Sequence, residues 1–404
     1  MNASPLDLSV LMSSENPPMS QMPATSDRTA LRDYALDVAK AGNCPAYVYD
    51  LPGLAAHVAE IRAMLDGTEL FYAAKANPDA EILRTVAPHV DGIEVSSGGE
   101  LAHVRATLPG VRVAFGGPGK TPEELALAQR LGVERVHVES PRELSRLPGP
   151  AGILLRANLP FTTPGAALTM SGPFGMDEPD LDACARRVAE TPGIDLRGVH
   201  VHLASGLDAP TMLDLARRII DWALPWLEAH GVDDPEINLG GGMAVDYTDP
   251  AARFDWRAYG RGLPETPRLR VEPGRAVTAY HGWYVTDVLD VKTTRGETYV
   301  ILRGGTHHLR TPVTKGHDQP FEVLTSNGSA LTSEGSAPAA DGSAGRATLV
   351  GQLCTPKDVL ARDVPVPPLA PGDVVAFTMA GAYAWNISHH DFLMHPKPSF
   401  HYLR

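Results

Sequence analysis

Eight short aliphatic and β-branched runs, at 69–74, 92–96, 111–115, 135–139, 152–157, 197–204, 236–239 and 269–272, set the limits on what this chain can fold into. Helical periods separate the first six, for instance at 79–89, 98–107, 122–131 and 141–147, and another at 210–230 follows the sixth. Short runs alternating with amphipathic stretches predict parallel strands joined by crossover helices. Eight such units suit a closed (β/α)8 barrel, although a doubly wound open sheet has the same local signature. After Val277 the rhythm stops. The segments 283–292, 298–302, 348–352 and 373–379 read as strands with no helix of useful length between them, which predicts an antiparallel β-domain. The early run 46–49 precedes the barrel and is a candidate member of that second domain.

Composition narrows the function classes. Acids outnumber bases 48 to 35, a formal charge of −13, which argues against nucleic acid or an anionic membrane as partner. No apolar run approaches the roughly 18 residues a spanning helix needs. The N-terminus lacks a basic start and apolar core, so no signal peptide is expected. Cys44, Cys184 and Cys354 are too few and too scattered for a disulfide framework or a CxxC metal site, and a reducing cytoplasm suits them. Residues 1–27, rich in Ser, Pro and Met, are expected to form a flexible extension, and the Ser/Gly/Ala tract near 325–345 a long loop.

Chemistry gathers at the predicted strand ends. Phe71-Tyr72-Ala73-Ala74-Lys75-Ala76-Asn77 puts a lysine among small residues at the end of the first barrel strand, the face where barrel active sites lie. Desolvation there would make the amine lose its charge readily, as a lysine nucleophile requires. Alone it would read as a solvated loop residue; its company decides. Glu94 ends the second strand, Arg156 the fifth, and His200-Val201-His202-Leu203-Ala204-Ser205-Gly206 the sixth. Gly240-Gly241-Gly242 follows the seventh and Glu272-Pro273-Gly274-Arg275 the eighth. Adjacent glycines let backbone N–H groups approach an anion, and Arg275 would add a charge-assisted clamp. Glu272 would keep a ring nitrogen protonated. His200 and His202 share a face if their strand is regular, but no third ligand is evident, and no metal is expected.

A lysine, a phosphate cradle, a carboxylate and a stacking histidine together describe a pyridoxal 5′-phosphate (PLP) site. The chain resembles the fold-type III PLP-dependent decarboxylases, the group of diaminopimelate, ornithine and arginine decarboxylases. The resemblance covers about residues 28–402 and rests on YAAKAN, SSGGEL, HVHLASG, LGGGMAVDY, VEPGR, GQLCTPKD and GAYAWNISHHDF in the family's order. It implies an α/β fold, a TIM-like barrel followed by a C-terminal antiparallel β-domain of the alanine racemase/decarboxylase type. The implied domains are 28–50 joining the β-domain, 51–277 as the PLP-binding barrel and 278–404 as the β-domain. Lys75 is then the lysine bonded to the cofactor, with Glu94 near it and His202 stacked on the ring. Ser205, Gly240, Gly241, Gly242, Arg275 and Tyr383 match the phosphate set, Glu272 the ring-nitrogen carboxylate and Arg156 a supporting arginine. Cys354 matches the cysteine that enters from a partner subunit to help protonate the decarboxylated product, so a homodimer with shared active sites is implied.

The departures bear on the substrate. Relatives acting on free diamino acids carry an acid directly after the cysteine, expected to hold the distal ammonium; here it is Thr355. The family's Asp-Ala-Gly is replaced by Arg303-Gly304-Gly305, with Thr306, His307, His308 and Arg310 following. A pocket that loses acids and gains cations suits an anionic distal group. Cys354-Thr355-Pro356-Lys357-Asp358 resembles the siderophore-biosynthesis branch, whose substrate is an amino acid already coupled to citrate, such as citryl-2,3-diaminopropionate. His308, Arg310, Thr355, Lys357 and Asp358 are the candidate substrate contacts. The competing readings are an ordinary diaminopimelate, ornithine or lysine decarboxylase, a PLP racemase, and a non-catalytic regulatory homologue.

Overall fold

The computed structural model describes residues 28–264, 268–310, 312, 316–324, 331–332 and 345–404; the expected N-terminal extension and most of the expected loop near 325–345 lie outside them. Strand β1 (Ala46–Asp50) comes first, then β2 (Thr68–Ala73), β3 (Gly92–Val95), β4 (Val113–Phe115), β5 (Arg135–Val138) and β6 (Ala151–Arg156). A short pair, β7 (Leu168–Thr169) and β9 (Ala204–Ser205), brackets β8 (Ile194–His200), and β10 (Glu236–Asn238) and β11 (Arg268–Val271) follow. Strands β2, β3, β4, β5, β6, β8, β10 and β11 close into one parallel ring. The closed barrel, not the open sheet, is the architecture.

Local chemistry explains the alternation. The strands are short and buried on both faces, as parallel strands under a coat of helices must be. Most return helices start at an oxygen-bearing cap. Asp79, Ser97, Ser140, Asp177 and Asp208 each accept from a backbone N–H in the first turn. Thr121 and Glu124 form a reciprocal capping box. One glycine is dictated by packing: Gly198 has φ +155° and lies beside a bulge in the β6–β8 ladder, and a Cβ there would sit 1.8 Å from the Glu236 carbonyl oxygen.

The two barrel ends are chemically distinct. At the N-terminal end Arg270, 2% exposed, is held by Glu69 at 2.6 Å and Glu134 at 3.1 Å, with its guanidinium 3.9 Å from the Phe71 ring centroid. Arg112 joins Glu69 and Glu134, and Arg135 pairs with Glu236. Burial alone would raise Glu69 and Glu134, but these arginines outweigh it and hold both carboxyls below their usual range. An interlocked ionic plug of this kind closes the floor and leaves the C-terminal end for function.

The remaining strands are β12 (Gly282–Thr294), β13 (Glu297–Leu302), β14 (Phe321–Leu324), β15 (Leu331–Thr332), β16 (Gly345–Val350), β17 (Val359–Val366), β18 (Val374–Phe377) and β19 (Ser399–Leu403). With β1 they build a nine-stranded sheet that is mostly antiparallel, with parallel pairs β13–β16 and β1–β19. Strands β14, β15, β17 and β19 lie beyond those expected from sequence. β17 carries Arg362, Asp363 and Pro365, which hide its periodicity, and β19 is stabilised by pairing with β1, far away in the chain. The helix Arg28–Lys40 packs Leu31, Ala35 and Leu36 on Trp283, Val285 and Ala376 of this sheet. No helix among the described residues is long and apolar enough to cross a membrane.

Candidate active site

The polar strand ends converge on one cavity of about 520 Å³ at the C-terminal end of the barrel. Lys75 follows β2 in a single 3₁₀ turn, Ala74–Ala76, whose alanines are fully buried. Its ammonium donates to Glu94 Oε2 at 2.7 Å, and the other Glu94 oxygen accepts from Ser96 Oγ at 2.9 Å. Desolvation pulls the Lys75 pKa down, but the Glu94 carboxylate, aided by Tyr383 and Glu272, outweighs it, and the net direction is upward. The sequence-based expectation of a lysine that readily loses its charge is therefore corrected. The amine is an ion-paired ammonium until something displaces Glu94 or takes its charge.

Across the cavity, Glu272 follows β11 and accepts from Asn238 Nδ2 at 2.7 Å. Burial, and then the charge of Glu94, raise its carboxyl to about 7 against the pull of Lys75. His202 lies just beyond β8. Burial and the neighbouring charges of Arg156 and Lys75 lower it to about 3, so its ring is neutral and free to serve as a flat surface. The three glycines after β10 are forced by close approach. A Cβ at Gly240 would lie 2.6 Å from His202 Cβ, at Gly241 2.4 Å from the Glu272 carbonyl oxygen, and at Gly242 2.4 Å from that of Ala204.

Arg275 donates to the Tyr247 hydroxyl at 2.8 Å and lies 4.5 Å from the Tyr383 ring centroid. Tyr383 is a non-glycine residue at φ 49°, a strained conformation. The structure holds it by stitching the 380–386 segment to the lysine turn. Tyr383 N–H donates to the Ala76 carbonyl at 2.8 Å, Asn386 to that of Lys75 at 2.7 Å, and Asn77 to that of Gly381 at 3.0 Å. Arg156 pairs with Glu139 at 2.8 Å. Ser205 Oγ is 3.4 Å from His202 Nε2.

The cavity thus brings together Lys75, Glu94, Arg156, His202, Ser205, Gly241, Gly242, Glu272, Arg275 and Tyr383, with Gly240 supporting His202 from behind. It does not bring in Cys354, Thr355, Lys357, His308, Arg310 or Asp358; of its described lining residues only Tyr383 comes from beyond the barrel. Several of those six have partners elsewhere, Arg310 among them, with Nη1 2.8 Å from His389 Nδ1. His308 uses both ring nitrogens, on the Tyr284 hydroxyl and the Pro396 carbonyl, each at 3.0 Å. Asp358 accepts from Thr306 N–H at 2.6 Å, Thr306 Oγ1 at 2.8 Å and Leu353 N–H at 2.8 Å, clasping two loops rather than facing a ligand. Arg303 forms a forked pair with Asp287 at 2.7 and 2.9 Å. Cys354 and Lys357 are exposed.

Several supporting residues were not singled out from sequence: Glu139, which holds Arg156, Asn238, which holds Glu272, and Tyr247, which holds Arg275. Their signal was position, since Glu139 and Asn238 fall at the ends of predicted strands. His200 partners differently from expectation. It stands with His137 and Glu272, the three offering donor atoms within 4.8 Å of one another, while His202 lies outside that group. Desolvation, then Arg270, Lys120, Arg156 and Lys75, push His137 well down. The same ring of cations opposes a divalent ion there.

The residues present fit PLP. The glycine backbone and Arg275 offer an anion cradle, His202 a stacking face, Glu272 a carboxylate for a ring nitrogen and Lys75 an amine. The comparisons agree. Residues 52–279 match the family described as pyridoxal-dependent decarboxylase, pyridoxal binding domain. The chain is 41% identical over 377 residues to 2-[(L-alanin-3-ylcarbamoyl)methyl]-2-hydroxybutanedioate decarboxylase of Staphylococcus aureus, covering 88% of this chain and 93% of that one. It is 31% identical to the diaminopimelate decarboxylase of Actinosynnema pretiosum, covering 86% of this chain and 82% of that one. The crystal structure of Helicobacter pylori diaminopimelate decarboxylase with L-lysine superposes with a TM-score of 0.81 at 22% identity, covering 91% of this chain and 94% of that one.

Proposed function

Because this chain belongs to the pyridoxal-dependent decarboxylases, we propose that it removes the α-carboxylate of an amino acid whose far end carries citrate-type carboxylates, and that it works as a homodimer. PLP, when bound, supplies a ring into which the electron pair left by departing CO2 can spread. The chain's own groups make that productive. Lys75 would supply the amine that holds the cofactor. Glu94 holds the ammonium form of Lys75 in place. Glu272 would keep the ring nitrogen protonated, His202 would cover a ring face, and Arg275 with the glycine turn would hold the phosphate. Arg156, fixed by Glu139, would support the cofactor from the strand end. Cys354 of the partner subunit delivers the proton that replaces CO2 at Cα, and the product leaves as an amine.

The observation that carries the substrate reading is the cavity's acid inventory. Among its described lining residues the only carboxylates are Glu94 and Glu272, and these are engaged by Lys75 and Asn238. No carboxylate is spare for a distal ammonium, and Thr355 stands where free-diamino-acid enzymes carry another. The Staphylococcus aureus relative supports the same reading, since its named substrate is a hydroxybutanedioate joined through an amide to an alanine side chain. This is the chemistry of the siderophore-biosynthesis branch. Arg310 and Lys357 are the groups proposed to meet the distal carboxylates.

Restoring the acid tests the charge logic. Thr355→Glu is expected to lower kcat/KM for the citrate conjugate about tenfold, mainly through KM, by placing like charge beside it. An unchanged KM would remove this loop from the substrate's path. The shared site has its own test. Mixing inactive Lys75→Ala with inactive Cys354→Ala protein and letting subunits exchange is expected to restore about a quarter of wild-type activity, because half the dimers then own one intact site. No recovery after demonstrated exchange would place both residues in the same subunit's site.

A further inference from the structure

Beneath Glu272 lie two histidines that the reading above does not use. His137 Nε2 is 3.8 Å from Glu272 Oε1, and His200 Nε2 is 3.7 Å from Oε2, one imidazole to each oxygen; the Asn238 amide nitrogen also lies 3.5 Å from His137 Nε2, a contact given up in the tautomer that donates to Glu272. The rings pack together with centroids 4.3 Å apart. Both residues are buried, at 0% and 5% exposure, and neither His200 nitrogen nor His137 Nδ1 has a hydrogen-bond partner among the described residues. Buried imidazoles with unmade hydrogen bonds are costly and call for a partner. The carboxylate they jointly face is that of Glu272.

We propose that His137 and His200 are positioning residues for Glu272, two uncharged donors that tighten onto its carboxylate when the cofactor's protonated ring nitrogen draws its charge to the cavity side. Burial first, then Arg270 and Lys120 at His137, and His137 and Arg156 at His200, pushes both imidazoles well down and keeps them neutral. Neutrality is what the role needs. An imidazolium would neutralise Glu272 from behind, whereas a neutral N–H stabilises its ionised form and leaves the negative charge for the ring nitrogen. With Asn238 already donating at 2.7 Å, the carboxylate would accept three hydrogen bonds from the barrel interior and one from the cofactor.

The inference rests on the assignment of Glu272 to the ring nitrogen, so the test separates the two. Cofactor-free full-length protein is titrated with PLP and with its 1-deaza analogue, in which carbon replaces the ring nitrogen while the aldehyde and phosphate remain. Wild-type protein is expected to prefer PLP and Glu272→Gln to lose that preference; a wild-type protein without preference would overturn the Glu272 assignment itself. His137→Gln and His200→Asn are each expected to lower the preference about tenfold with affinity for the deaza analogue unchanged. Equal losses for both ligands would mean a packing role and overturn the proposal, as would an intact preference. A measurement on wild-type protein guards against variants that fail to fold. Imidazole ¹⁵N resonances of the two histidines should shift on loading PLP and not on loading the deaza analogue; identical responses would also overturn it.

Discussion

Lys75→Ala is expected to lower kcat/KM by roughly 10⁴-fold and to abolish the borohydride-stable mass adduct that wild-type protein forms with PLP. The expectation follows from position. Lys75 is the lysine whose amine lies on the cavity floor, 2.7 Å from Glu94 and facing Glu272 across the space. Among the described residues the buried lysine, Lys120, is fully committed. Lys120 donates to the Gly117 and His137 carbonyls at 2.6 and 2.8 Å and pairs with Glu143 at 2.6 Å. The variant should stay folded, because the side chain opens onto the cavity with 46% of its surface exposed. It should still bind PLP non-covalently through Arg275 and the glycine turn. An adduct that persists in the variant, or activity within tenfold of wild type, would assign the chemistry to another amine.

Glu272→Gln is expected to lower kcat by about 10²- to 10³-fold, the usual cost of losing one preorganised charge at the reacting group. The same residue predicts a pH effect in cofactor-free protein. Its folded-state pKa is raised to about 7 by burial and then by Glu94. A raised carboxyl contributes stability that is present below the ordinary carboxylate range and lost as pH rises through the folded value. Wild-type protein should therefore lose more stability than Glu272→Gln, which stays neutral, between about pH 4.5 and about pH 7. Urea unfolding of both proteins across that window reads the difference. Parallel curves would mean that Glu272 is ionised throughout and that its environment is less apolar than the structure indicates.

The barrel was legible because its eight strands are buried on both faces and appear as continuous apolar runs, and because glycines and charged groups cluster at one end of them. Lys75, Glu94, His202, Glu272 and Arg275 stood out for that reason. The β-domain was less legible. Its strands face two ways, mix parallel with antiparallel pairing and find partners far along the chain, as β19 does with β1. The groups that orient the site were hidden for a related reason: Asn238, Glu139 and His137 read as strand residues until closure of the barrel turns them toward Glu272 and Arg156. His308 and Asp358 were ambiguous in the opposite direction. Their charge and polarity suggested substrate, but folding directs Asp358 into hydrogen bonds with Thr306 and Leu353 that hold the loop around Cys354, and His308 into hydrogen bonds with Tyr284 and Pro396.

The most direct test of the central claim is CO2 release by PLP-loaded protein from the citrate amide of 2,3-diaminopropionate, measured beside meso-diaminopimelate, ornithine, lysine and arginine. The predicted result is a kcat/KM for the conjugate about 10³-fold above that for any free diamino acid, because the described cavity lining has no carboxylate to spare for a distal ammonium. Equal or better turnover of a free diamino acid would contradict the account and make Thr355 a tolerated substitution in an ordinary diamino-acid decarboxylase.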